Sequence, residues 1–307
     1  MKENEFDIFV RNLMHGAEES VSPDIWTRVE AGLDAQARPK RVVPAWVWLG
    51  LSGVAVAAAA VAALVAAGCN RIPGTANHAA ELSYPIDDEF DKPNLSIDIS
   101  IDYPVKGLPD SVMAKMTENI LVFAFDLEDE PLSVPETVDA EVSRLEDEYR
   151  GDNLEFWKAE KEELSKEETD EFYCWEYRVY GYFGERWRNW ISYYNESYTY
   201  SGGVHGMHGL CPIVFDARTG EPVTEREIFD EGYETVLTEA LRKHLLDIFP
   251  EESDEYESLF VKDITPNGCF DLSRKGITYY YQPYEIGAYY LGVIQVTVPW
   301  KELKGFI

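Results

Sequence analysis

The chain has 307 residues, 45% of them hydrophobic, and a formal net charge of −30, which gives room for about two domains and excludes a wholly disordered chain. Residues 1–71 hold 7 Lys/Arg against 8 Asp/Glu, so nearly all the negative excess belongs to residues 72–307. A surface that acidic excludes direct nucleic-acid binding and favours cationic partners, although it also serves plain solubility.

The first 41 residues predict a short tail of two helices. Phe6, Phe9, Val10 and Leu13 recur at helical spacing. Ser22-Pro23-Asp24 supplies an N-cap, a proline for the first helical position and an acid in the first turn; Ile25, Trp26, Val29 and Leu33 then form a second stripe. Helices this short are marginal alone in water, so the apolar stripes call for a partner. From Val42 to Gly68 no residue is charged. Pro44 to Gly68 would span roughly 37 Å as a helix, so residues 43–68 predict one transmembrane helix. Trp46 and Trp48 mark one interface, and Arg38, Lys40 and Arg41 outweigh Arg71 across the span. The charge rule places the tail in the cytoplasm and residues 72–307 outside it. Ala66-Ala67-Gly68-Cys69 also has the outline of a lipoprotein cleavage site, with Ala in place of the preferred Leu.

The stretch Phe6 to Asn12, with Ser22 to Trp26 and Val29 to Leu33, resembles the cytoplasmic start of membrane-bound anti-sigma factors. That resemblance implies that Phe6, Phe9, Val10, Leu13, Trp26, Val29 and Leu33 contact an extracytoplasmic-function sigma factor.

Residues 69–92 show no clear period and predict a linker. Leu95, Ile97, Ile99, Ile101 and Tyr103 alternate with polar residues as a half-buried strand. A helix is expected after Pro109-Asp110 with Val112, Met116, Ile120 and Phe123 on one face. A second, acidic helical stretch over 135–168 turns Val138, Val142, Leu145 and Tyr149 inward. From 172 the aromatic runs favour strands. Ser201 to Gly209 is a glycine-rich loop carrying His205 and His208, and a strand is expected over Pro212–Asp216 with a turn at 218–220. Tyr233 to Ile248 carries an apolar stripe that predicts a packed helix, with His244 at its boundary. Phe270–Ser273 and Ile277–Tyr281 predict a hairpin, and Val293–Val298 a closing strand. The boundaries expected are thus 93–170 for a first exported module and 171–307 for a second, both α+β with antiparallel sheets and packed helices.

The run from Tyr200 to Gly206, Phe215 to Gly220, Ile277 to Tyr281, Pro283 to Tyr289, Gly292 and Val296 to Pro299 resembles the exported domain of anti-sigma factors of the lysozyme-receptor type. This domain is shared with some peptidoglycan deacetylases, and residues 95–170 resemble the module that precedes it. The departure is Val204, where such domains usually have Ala. The resemblance implies a receptor whose outer ligand is a basic protein such as lysozyme, or a cell-wall fragment. It implies residence in a bacterial cytoplasmic membrane with the N-terminus inside.

No acid, base and nucleophile set converges, so no catalytic role, cofactor or metal is expected. His205-x-x-His208 between glycines lacks the helical i, i+4 spacing and a third ligand. Gly202, Gly203, His205, His208 and Tyr284 are the ligand-loop candidates, and a fixed structural loop is the plainer reading of the glycines. Cys69, Cys174, Cys211 and Cys269 show no CxxC spacing, and the last three allow at most one internal disulfide without saying which. An alternative function is an envelope-anchored binding or structural protein with no transcriptional role, and a further one is an accessory to an enzyme acting on peptidoglycan.

Overall fold

The computed structural model describes residues 72–85, 94–160 and 173–307. The tail with its sigma-factor candidates, the apolar span 43–68 and Cys69 lie outside the described residues. Among the described residues no helix is long and apolar enough to cross a membrane.

Two sheets organise the domain. The first has five strands in sequence order: β1 (Gly74–Pro85), β2 (Asn94–Lys106), β3 (Trp175–Trp187), β4 (Trp190–Ser201) and β5 (Met207–Asp216). Between β2 and β3 the chain forms α1 (Asp110–Phe125), α2 (Val134–Glu148), a π turn (Tyr149–Asn153) and α3 (Leu154–Glu160). These helices carry the chain back to the end from which β2 started. β3 therefore runs parallel to β2, with Leu95 opposite Trp175 and Ile101 opposite Gly181. The other pairs are antiparallel, so the sheet is mixed and not purely antiparallel as expected.

The segment expected to be a linker contains β1. Ala76, His78, Ala80 and Leu82 lie less exposed than Thr75, Asn77, Ala79, Glu81 and Ser83. The period of two is present, but its inner positions are too weakly apolar to announce a strand. β5 likewise begins at Met207, five residues before the expected start.

The first core lies under this sheet. Leu95, Ile97, Ile99 and Ile101 pack with Met116, Ile120 and Leu121 of α1, Val138 and Leu145 of α2, and Tyr149. Burying each such aliphatic side chain stabilises the fold by about 1.5–3 kcal/mol. Phe123, expected inward on α1, is only half-buried, and Leu121 and Ala124 are buried instead. Ser133 and Glu136 close a capping box at the start of α2.

The second core follows β5. It contains α4 (Glu225–Ile228), α5 (Tyr233–Ile248), α6 (Asp254–Glu257), β6 (Phe270–Leu272), β7 (Gly276–Tyr281) and β8 (Ile294–Pro299). β6, β7 and β8 form an antiparallel three-stranded sheet. Leu237, Leu241 and Leu245 of α5 pack on Ile277, Tyr279, Val296 and Val298. His244 sits at the edge of this helix, 3.3 Å from Glu302 Oε1 and 3.1 Å from Asp247 Oδ2. The two cores thus divide near residues 214–217, whereas the change of texture near 171 falls inside the five-stranded sheet, just ahead of β3.

The sheets meet along a hydrogen-bonded seam. Ser192 Oγ donates to Leu272 O and accepts from Leu272 N. Tyr194 of β4 and Tyr280 of β7 both donate to Asp271 Oδ2. Burial pushes the Asp271 carboxyl above its ordinary range, and the two tyrosine hydroxyls pull it partly back. At the other end of the seam Trp187 stacks on Trp300 with ring centroids 4.2 Å apart.

Candidate functional site: an aromatic platform at the loop before β5

Three of the five ligand-loop candidates converge. The Ser201–Gly206 loop joins β4 to β5, and Gly202 and Gly203 both have positive φ, 91° and 102°, which a side chain would resist. Tyr200 reaches over and donates to Gly203 O at 2.8 Å. This turn delivers His205 to Tyr289, with the imidazole stacked on the phenol ring at 3.9 Å between centroids and 18° between planes. His205 Nδ1 lies 3.0 Å from Gly206 O, and Nε2 lies 3.2 Å from the Tyr284 hydroxyl. His208 meets the edge of the same Tyr289 ring at 6.1 Å. Gly202 and Gly203 shape the loop without entering the ring cluster.

Tyr284 arrives from the other sheet. It follows β7 in a turn whose backbone is fixed by Gln282 N donating to Glu285 Oε2 at 2.7 Å. Asn267 Nδ2 donates to Glu285 Oε1 at 2.8 Å. Tyr284 itself is held at φ 68°, an unusual value for an aromatic residue and one that costs about 1–3 kcal/mol. Despite this, the residue is 48% exposed. A strained residue with its ring in solvent is a better candidate for contact than for packing.

Sequence reasoning missed Tyr289. Its ring touches His205, His208 and Tyr284, and its hydroxyl donates to Gly206 O at 2.6 Å, which locks the loop to the second sheet's side of the domain. Its sequence signals were its place at the end of the Pro283 to Tyr289 run and beside Tyr290, and both read equally well as packing. Exposed apolar groups surround the platform in sequence: Val204 is 93% exposed, Met207 42% and Tyr290 65%, with the Tyr290 hydroxyl 2.6 Å from Ser258 Oγ.

The result is a pre-formed patch of stacked rings carrying hydroxyl and imidazole edges. Such a surface suits apolar and cationic groups, which gain from ring faces, and polar groups that pair with the edges. Among the described residues no group of three or more His, Cys, Asp or Glu is placed to hold a metal ion.

Residues 226–301 match the family described as a protein of unknown function, DUF3298. A crystal structure of a member of that family from Bacteroides fragilis has a TM-score of 0.68 at 20% identity, covering 76% of this chain and 92% of that one. A DUF3298 family protein from Pseudomonas aeruginosa has a TM-score of 0.51 at 17% identity, covering 78% and 96%. No curated protein matches the chain. The structural likeness covers about three times the length of the matched segment, so it extends into the first sheet and its helices. At this identity it concerns the fold alone. The C-terminal region of the chain, with α5 and the three-stranded sheet at its centre, is a DUF3298 domain.

Proposed function

We propose that the chain is a single-pass membrane regulator whose outer domain senses a basic envelope ligand and whose tail holds an extracytoplasmic-function sigma factor. The observation that carries the sensing half is Tyr284, strained and exposed beside His205 and Tyr289, in a domain whose net charge is strongly negative. Aromatic side chains held rigidly in this way make anchors, because little conformational freedom is lost when a partner covers them. The negative charge draws a cationic ligand in, and the rings give the contact its persistence. A lysozyme-like protein has the required charge, and a cell-wall fragment is the competing ligand at the same platform. The tail's apolar stripes and the uncharged span 43–68 support the regulatory half.

The full chain in detergent is to be tested against lysozyme at low and high salt. Binding should weaken with salt, mainly through slower association. Tyr284→Ala should weaken it at least about tenfold with no loss of thermal stability. Absence of binding at either salt removes this ligand. Co-isolation of a sigma factor with the full chain, lost when Phe9, Leu13 and Trp26 are made polar, tests the tail. A chain that captures none is an anchored envelope protein instead.

A further inference from the structure

Cys211 lies in β5 and Cys269 immediately precedes β6, so the two belong to different sheets. Their side chains come together at the seam, close enough for each thiol to perturb the protonation of the other. Gln282 braces the same place. Its Nε2 lies 3.8 Å from Cys269 Sγ and donates to Leu210 O at 3.0 Å, while its Oε1 accepts from Leu210 N at 3.1 Å. One glutamine therefore joins the sulfur of one cysteine to the backbone beside the other. Cys269 is fixed further by its own N–H donating to Asn267 Oδ1 at 3.1 Å and by its carbonyl accepting from Tyr280 N at 2.9 Å. Cys211 is held in the ladder opposite Asn195, and its sulfur makes a weak contact at 3.8 Å to Pro212 O. Both residues are half-buried. Cys174 lies elsewhere, near Tyr149.

We propose that Cys211 and Cys269 form a disulfide that staples the five-stranded sheet to the three-stranded one beneath the His205–Tyr284 platform. Thiols gathered at one seam and braced by the same glutamine need only a short approach to reach bonding distance, about 2.05 Å. In the exchange one of the two, as its thiolate, displaces one thiolate from a protein or small-molecule disulfide and forms a mixed disulfide. The other then gives up its proton and attacks the first sulfur, displacing the second thiolate. The pair loses two electrons and two protons, and the reagent disulfide becomes two thiols.

The bond fixes both legs of the platform. Cys211 stands six residues after His205 on one leg. Cys269 is linked through Asn267 to Glu285, and so to the turn that carries Tyr284 on the other. The pairing itself stands independently of which ligand the platform takes.

The test uses the full chain in detergent, purified with reductant and then moved into oxidised glutathione. Alkylation under denaturing conditions followed by peptide mass mapping should locate a 211–269 link. Cys174→Ser should leave that link intact, and Cys211→Ser or Cys269→Ser should remove it. Reduction should lower Tm by roughly 10 °C in the unmodified chain and leave Cys211→Ser unmoved. Two alkylated thiols at 211 and 269 in a folded, glutathione-treated chain overturn the proposal, as does a preferred link to Cys174. Acid-quenching of living cells adds a separate reading. A pair that closes in glutathione yet is open in cells leaves the pairing standing and counts against the outward placement of the domain.

Discussion

The two sheets bury themselves differently. In the five-stranded sheet β2 turns Leu95, Ile97, Ile99 and Ile101 to the core and leaves Ser96, Asp98, Ser100 and Asp102 on the other face. In the three-stranded sheet β7 is buried at all six positions. Ile277, Tyr279 and Tyr281 face the α5 core, whereas Tyr280 reaches across the seam to Tyr194. Alternation therefore reports how many faces of a sheet are covered. It does not report whether a strand exists.

If the seam makes one cooperative unit of the two sheets, damage to either core should lower the same transition. Leu241→Ala in the second core and Ile99→Ala in the first should each cost about 3–5 kcal/mol in denaturant unfolding. Two separate transitions would show that the sheets stand alone. Gly276→Ala tests the tightness of the doubly covered strand β7. A Cβ there would stand 2.0 Å from Val298 O, a backbone atom that cannot give way, and a loss of about 2–3 kcal/mol is expected.

Asp271 probes the seam itself. Its raised native value means that the folded state keeps the proton to higher pH than the unfolded chain does. Stability therefore falls as pH rises from the ordinary Asp value through the raised one, and stays lower above it. Asp271→Asn should remove that slope and raise Tm by about 1–3 °C at pH 7, read by thermal scans across pH 4–7. The smallest effect belongs to the rim of the platform. Val204→Ser should change stability by no more than about 0.5 kcal/mol, because the side chain is almost fully exposed.

Much of this architecture was legible in residue order. The period of two in β2, the unbroken stripe of α5, the hairpin around Arg274-Lys275-Gly276 and the special loop at Gly202-Gly203 all have local causes that local sequence records. What could not be read depends on partners far along the chain. The parallel pairing of β2 with β3 follows from the long helical connection between them, and β1 hides behind Ala76, His78 and Ala80. The platform was half legible. His205, His208 and Tyr284 stand out by type and context, but the ring that gathers them, Tyr289, reads in sequence like any packing tyrosine. The Cys211–Cys269 contact was invisible for the same reason, since spacing alone allowed three pairings.

The parallel neighbour of β2 also sets an order in time. β1 can pair with β2 as soon as both exist, across a short connection. β3 is different, because 80 residues separate Leu95 from the Trp175 it must lie beside. Closing so distant a pair is slow compared with forming hairpins such as β3–β4 or β4–β5. A chain made from its N-terminus therefore carries the aliphatic ladder of Leu95, Ile97, Ile99 and Ile101 with one edge open until the helices and β3 have followed. During that interval β2 is the segment most exposed to pairing with another molecule. The yield of folded protein, more than its final stability, depends on how quickly that edge is filled.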